Sequence, residues 1–147
     1  MASQDQRLLK ESLDLVAPVA DQLIAAFYDR LFTDHPDVRP MFPAVMETQR
    51  ERLLNAVIAV VTHYDHPENL LPALTAMGRR HQMYGVSLGH YAAVAEALLG
   101  TLREFAGSAW SPAYEAAWTR AYTFAAGAMM QAGALSAVDE AREQLAA

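Results

Sequence analysis

Residues 69–86 read NLLPALTAMGRRHQMYGV and form the most informative segment of the chain. Leu74 and Met77 stand at helical spacing, which predicts an amphipathic helix from about Asn69 to Met83. His81 follows Met77 by four residues, so its imidazole lies on the same apolar face. An imidazole on an apolar face needs a partner. The segment therefore predicts either a hydrogen-bonded core histidine or a metal ligand.

The surroundings of His81 favour haem over other metal sites. Neutral imidazole is a common ligand of iron, whereas a zinc site needs further cysteines or histidines that this segment does not supply. Arg79 and Arg80 stand beside it, and such cations pair with the propionates of haem. The alternative is that both arginines belong to a solvated helix end, where the macrodipole favours cations. The other four histidines lie at predicted helix ends or in turns, where solvated imidazoles are common: His35, His63, His66 and His90.

The rest of the chain is predicted to be helical, because no run alternates with period two. Ser3 followed by Gln6 predicts a capping box at the first helix, and Pro18 breaks that helix. Ser111 before Pro112 predicts the start of the last helix. Further helices are predicted at about 19–33, 37–41, 48–63 and 88–106. The fold class is therefore all-α.

Composition predicts one compact domain over residues 1–147, since hydrophobic residues make up 53% of the chain. The net charge of −6 and the lack of a basic cluster argue against nucleic-acid and anionic-membrane partners. The chain contains no cysteine, which excludes disulfides and thiolate chemistry. Its charged start does not resemble a signal peptide, so we expect a cytoplasmic protein. The uncharged stretch Ala121–Val138 is rich in Ala and Gly, which is typical of a close-packed helix rather than a transmembrane one.

From about Gln6 to Gln131 the chain resembles the globins, specifically bacterial single-domain globins and the globin portion of flavohaemoglobins. The order and spacing of several segments carry the resemblance together: FYDRLFTDHPDVRPMF (27–42), QRERLLNAV (49–57), ENLLPAL (68–74), RRHQMYGV (79–86), HYAAVAEALLGTL (90–102) and AAWTRAY (116–122). The resemblance implies a globin fold of about seven to eight helices around one haem b with five-coordinate iron.

The resemblance also implies roles for individual residues. His81 corresponds to the proximal ligand of the haem iron, and Tyr28 and Gln49 correspond to the distal pair that bonds the gas ligand and would serve any catalysis. The remaining cofactor-binding positions are Phe42, which stacks on the haem, Leu53, Arg80, Val86 and Tyr91. Physical reasoning agrees on the distal side, because a buried phenol needs a partner and both a phenol and an amide can donate to partly charged O2.

Two departures from the flavohaemoglobin pattern stand out. The glutamate expected on the last helix near Tyr91 is missing, since QAGALSAV (131–138) places Leu135 or its neighbours there. The nearest acids are Asp139 and Glu140, about a turn further on, so the electron push from the proximal side is in doubt. The connection from Phe42 to Gln49 also looks short, so that Met46 or Arg50 is an alternative to Gln49 in the pocket.

The function expected from these features is reversible O2 binding. One alternative is nitric oxide dioxygenation with electrons from a separate reductase. Others are gas sensing and a helical interaction protein without a cofactor. Expected ligands are O2, NO or CO, and the protein is expected to be a monomer or a homodimer.

Overall fold

The computed structural model describes the backbone of residues 2–146 and the side chains of residues 2–134 and 142. Within that range the chain forms six α-helices: α1 (Gln4–Val16), α2 (Ala20–Asp34), α3 (Glu47–Thr62), α4 (Leu71–Met83), α5 (Leu88–Ala106) and α6 (Pro112–Ala146). Four short 3-10 helices lie between them: Ala17–Val19, Pro36–Met41, Pro67–Asn69 and Gly107–Ala109. No described residue lies in a strand, which confirms the all-α class.

The number of α-helices is lower than the seven to eight helices expected. Pro36 and Pro67 each begin a connecting segment, and these segments form only 3-10 turns. A proline lacks the backbone N–H and restricts the residue before it, so such short stretches do not extend into α-helices. The predicted short helix over 37–41 is accordingly a 3-10 helix.

The first helix begins at the predicted residue, but its cap is not reciprocal. The Ser3 hydroxyl accepts a hydrogen bond from the Gln6 backbone N–H at 3.1 Å. The Gln6 amide does not return to Ser3 and instead donates to the carbonyl oxygens of Val61 and Thr62, at 3.3 and 2.8 Å. Gln6 is buried there, so it ties α1 to the end of α3.

The main core lies where α1, α2, α5 and α6 meet, and Leu9, Phe27 and Leu31 are almost completely buried in it. Trp118 of α6 is also buried, and its indole N–H donates to the Ser12 hydroxyl of α1 at 2.8 Å. A buried indole nitrogen needs such a partner, so this bond fixes the first helix against the last.

Helix α4 packs closely on α6 through Gly78. A Cβ atom at position 78 would lie 2.1 Å from the carbonyl oxygen of Met129, which no side chain could tolerate. Gly133 makes a similar approach from α6, since its Cβ would lie 3.1 Å from the carbonyl oxygen of Gly78. His81 lies one turn after Gly78 in the same helix, so this backbone contact sets the position of the imidazole.

None of the helices in the described part of the chain combines the length and apolar character needed to cross a membrane. The uncharged stretch 121–138 lies within α6, whose residues Ala121, Ala126 and Met129 are buried against the protein.

Candidate cofactor pocket

A cavity of about 840 Å³ lies between α2, α3, α4, α5 and α6 and the segment that follows α2. Its walls are mainly aromatic and aliphatic side chains, as is typical of a site for an organic cofactor. The eight residues that the resemblance implies as site residues all line this cavity: Tyr28, Phe42, Gln49, Leu53, Arg80, His81, Val86 and Tyr91. Arg79, the other cation beside His81, does not line it.

His81 reaches the cavity from the last turns of α4. Its Nδ1 lies 2.6 Å from the carbonyl oxygen of Met77, one turn earlier. A carbonyl can only accept, so Nδ1 carries the proton and Nε2 holds the free lone pair. Burial lowers the pKa of the imidazole and the nearby Arg80 adds to this, while the bond to Met77 opposes them. The ring is therefore held neutral, in the form that binds metals.

Tyr91 of α5 packs on His81, with ring centroids 6.1 Å apart and planes 25° from parallel. Tyr122 of α6 fixes the backbone of Tyr91, because its hydroxyl donates a hydrogen bond to the Tyr91 backbone carbonyl oxygen at 2.5 Å. Burial raises the pKa of the Tyr122 hydroxyl, so it stays protonated and remains a hydrogen-bond donor. The side chains of Leu135, Asp139 and Glu140 lie outside the described residues. Among the described residues, the hydrogen-bond acceptor of the His81 ring is the backbone carbonyl of Met77.

Tyr28 and Gln49 meet at another part of the cavity wall. The Gln49 Nε2 donates to the Tyr28 hydroxyl oxygen at 3.3 Å. Tyr28 is only 5% exposed, and this burial raises the pKa of its phenol, while the bond from Gln49 partly opposes the shift. Because Gln49 donates to the oxygen, the hydroxyl hydrogen of Tyr28 stays available to a second acceptor.

The residues near the start of α3 differ in whether they reach the pocket. Gln49 lines the cavity, whereas Met46, Thr48 and Arg50 do not. Arg50 is exposed, and Met46 packs with the partly buried residues around the main core. Helix α3 begins at Glu47, so Gln49 lies in its first turn.

Phe42 belongs to an aromatic cluster beside the cavity. Its ring centroid lies 5.6 Å from that of Tyr28 and 5.3 Å from that of Phe32, with both pairs edge-to-face. The guanidinium of Arg39 lies 5.0 Å from the Phe32 ring centroid and donates to the Phe42 carbonyl oxygen at 3.3 Å. These contacts stabilise the segment that carries Phe42 into the pocket.

The mouth of the cavity is positively charged. Arg52 of α3 and Arg80 of α4 both line the cavity and are exposed to solvent. Its described lining contains no carboxylate, although the whole chain carries a net charge of −6. The pocket therefore suits a molecule that is mostly apolar and carries negative charge at its exposed edge. Haem, with two propionates at one edge, meets both conditions.

The sequence did not assign several polar lining residues to the pocket, among them Arg52, Tyr122 and His90. Arg52 follows Gln49 by three residues and so shares its helix face, a spacing that could have revealed it. Tyr122 looked like ordinary core on an apolar helix. His90 lies at a helix end, the start of α5, as expected, and is partly exposed, but it also lines the cavity, which the sequence did not indicate.

A metal site made only of side chains is not found in the described part of the chain, which holds no group of three or more His, Cys, Asp or Glu residues arranged around one point. A single neutral imidazole facing a large apolar cavity fits a metal whose other ligands come from an organic ring.

Comparison with known proteins agrees with this geometry. A family profile described as Globin matches residues 25–129. A flavohemoprotein of Bacillus subtilis is 31% identical over 118 residues, which is 78% of this chain but only 30% of that protein. An uncharacterized globin-like protein of Aquifex aeolicus is 30% identical over 128 residues, covering 86% of this chain and 89% of that one. The chain thus spans less than a third of the flavohemoprotein that it matches.

Two solved structures share the arrangement of helices. An engineered carbene transferase, whose parent from Rhodothermus marinus is named as a nitric oxide dioxygenase, superposes with a TM-score of 0.84 at 26% identity. The superposition covers 96% of this chain and 99% of that one. A bacterial globin of Campylobacter jejuni gives a TM-score of 0.78 at 22% identity, over 90% and 96% of the two chains.

Proposed function

The chain belongs to the globin family, and from that premise we propose that it holds one haem b in the cavity and binds O2 reversibly. His81 is the protein ligand of the iron, and residues 1–147 form a single globin domain. The observation that carries the proposal is the state of His81. Its Nδ1 is bonded to a carbonyl, its pKa is lowered, and its other nitrogen is left for a cavity of about 840 Å³.

Apolar and charged lining residues would hold different parts of the cofactor. Phe42, Leu53 and Val86 would pack against the apolar faces of the ring, while Arg52 and Arg80 at the mouth would pair with the two propionates. The bound haem supplies an iron atom that takes up a diatomic gas. An apolar wall around the iron excludes water and keeps the local dielectric low, which strengthens each polar contact made there.

The Tyr28–Gln49 pair supplies the polar contact for the gas. The free O–H of Tyr28 would donate a hydrogen bond to an O2 ligand, and Gln49 would act through Tyr28, because it donates to the same hydroxyl oxygen. A phenol that already accepts one hydrogen bond is a better donor, because linked hydrogen bonds polarise one another. This arrangement favours O2, which becomes partly negative when bound, over the less polar CO.

Replacing His81 tests the cofactor and its ligand together. The purified wild-type protein should show an intense Soret absorption after reconstitution with haem. His81→Ala should lose most of its haem or show a changed ferrous spectrum, since the variant lacks the imidazole that binds the iron. His66→Ala is the matched control, because His66 is exposed and does not line the cavity. A normal haem content and spectrum in His81→Ala would overturn the assignment.

Nitric oxide dioxygenation is a second candidate function. It is favoured by the match to flavohemoproteins and by the solved neighbour whose parent is named as a nitric oxide dioxygenase. The reaction joins NO and O2 to give nitrate and consumes one electron, which a separate reductase would supply. Steady-state NO consumption with a supplied electron donor tests it. Nitrate formed in large molar excess over the protein would support turnover, and one nitrate per protein molecule, after which the reaction stops, would support the carrier.

A further inference from the structure

His90 makes two hydrogen bonds with Ser87 at the start of α5. The Ser87 backbone N–H donates to His90 Nδ1 at 3.0 Å, and the His90 backbone N–H donates to the Ser87 hydroxyl at 3.4 Å. The two residues thus form a capping box with histidine in the position where glutamate is usual. The same imidazole also lines the cavity.

This cap determines the tautomer of the neutral His90 ring. Nδ1 accepts a hydrogen bond from a backbone N–H, so it carries no proton. The proton of the neutral ring is therefore on Nε2, which becomes a hydrogen-bond donor. Within the described part of the chain, Nε2 makes no hydrogen bond and no ion pair.

The cavity lining limits what Nε2 can bond. Besides His90, the charged or titratable groups of that lining are Arg52, Arg80 and His81 together with tyrosine hydroxyls, and there is no carboxylate among them. An anionic acceptor for the His90 donor must therefore come from the molecule that fills the cavity. A carboxylate at the edge of that molecule is the strongest acceptor available.

We propose that His90 is a cofactor-binding residue, whose Nε2–H donates a hydrogen bond to a haem propionate while its Nδ1 caps α5. The proposal rests on the haem-binding function proposed above. His90 then has two roles: its Nδ1 caps α5, and its Nε2–H binds the cofactor. A substitution that keeps the cap and removes the donor separates the two roles.

His90→Glu keeps the cap of α5 and removes the hydrogen-bond donor. Glutamate can accept the Ser87 N–H as histidine does, so the capping box is retained. Its negative charge replaces a donor with a group that repels a propionate. The matched control is Leu88→Glu, which adds the same charge to the same helical turn at a side chain that is 75% exposed and does not line the cavity.

The measurement is the rate of haem transfer to excess apomyoglobin. A hydrogen bond to a charged group at a partly solvated mouth, replaced by a like charge, should be worth about tenfold, so His90→Glu should release haem roughly tenfold faster than wild type. Leu88→Glu should change the rate by less than about threefold, because exposed charges interact weakly through water. Equal rates for wild type and His90→Glu would overturn the proposal.

Reconstitution with haem dimethyl ester separates the propionate contact from a general effect on packing. The ester carries no charge at its edge, so wild type and His90→Glu should release it at rates within about threefold of each other. The same tenfold acceleration with the ester would mean that His90 acts only by holding α5. Circular dichroism of each apoprotein establishes whether α5 is intact.

A neutral variant covers the case in which His90→Glu does not fold. His90→Ala has no side-chain donor, so it should accelerate the release of haem more than the release of the ester, and an equal acceleration of both, or of neither, would overturn the proposal. The outcomes are also distinct from failure of the proposed function. A wild-type protein without a Soret band would contradict haem binding itself, whereas a normal Soret band with unchanged release from the His90 variants would contradict only the role of His90.

Discussion

Removing the Tyr28 hydroxyl should weaken O2 binding much more than CO binding. Tyr28→Phe deletes one oxygen atom from a side chain that is 5% exposed and leaves its ring contacts with Phe27 and Phe42 in place. A hydrogen bond to a partly charged ligand in a dry pocket is worth about 1.5–3 kcal/mol. Since about 1.4 kcal/mol corresponds to a factor of ten, O2 should leave roughly ten to a hundred times faster.

Stopped-flow displacement of O2 by CO, and of CO by NO, measures the two release rates. The CO rate should change much less than the O2 rate, because bound CO carries less charge. Gln49→Leu should accelerate O2 release to a smaller degree than Tyr28→Phe, because Gln49 donates to the Tyr28 oxygen. Thr48→Ala is the control, since Thr48 precedes Gln49 but does not line the cavity, and it should alter neither rate.

Two outcomes would refute this reasoning. Equal acceleration of O2 and CO release in Tyr28→Phe would show that Tyr28 acts by shaping the pocket and not by donating a hydrogen bond to the ligand. No change in Tyr28→Phe, together with a large change on substituting Arg50 or Met46, would show that a residue outside the described lining reaches the gas instead of Gln49.

Two further predictions concern α4 and its neighbours. Gly78→Ala should destabilise the protein by about 2–4 kcal/mol in urea unfolding, because the new methyl group would meet the Met129 backbone; the control Gly127→Ala, with open space around it, should be neutral or slightly stabilising. Resonance Raman of the ferrous protein should give an iron–histidine stretch at the low frequency of oxygen carriers, because His81 Nδ1 bonds to the Met77 carbonyl. A frequency in the range of peroxidases would show that a carboxylate reaches the imidazole instead.

Helical spacing in the sequence grouped two pairs of pocket residues, and the resemblance to globins supplied the roles of the others. Gln49 and Leu53 are one turn apart on α3, and Met77 and His81 are one turn apart on α4, so each pair had to face the same way. Both pairs line the same cavity. The all-α class followed from the same periodicity, and the observed helix ends lie within a few residues of those predicted.

The sequence could not give the partners of side chains at helix ends. Gln6 satisfied the pattern of a capping box, yet its amide bonds to the end of α3, because a buried amide takes whichever carbonyls the packing presents. His90 looked like a solvated residue at a helix start. Only the tertiary fold shows that the first turn of α5 borders the cavity. Such contacts depend on how distant segments meet, which periodicity within one helix does not encode.

The distal pair does not by itself separate an oxygen carrier from a nitric oxide dioxygenase. A hydrogen bond from Tyr28 that slows O2 release serves storage, and it equally keeps O2 in place until NO arrives. The two functions differ in their demand for electrons, because joining NO and O2 as nitrate consumes one electron in every turnover, whereas reversible binding consumes none. The feature that separates them is therefore access for an electron donor at the mouth beside Arg52, Arg80 and Tyr84, where the cavity meets solvent. In a protein that stores O2, the residues at the mouth need only hold the cofactor. In a dioxygenase, a reductase must also dock at the mouth and deliver one electron for each NO that reacts.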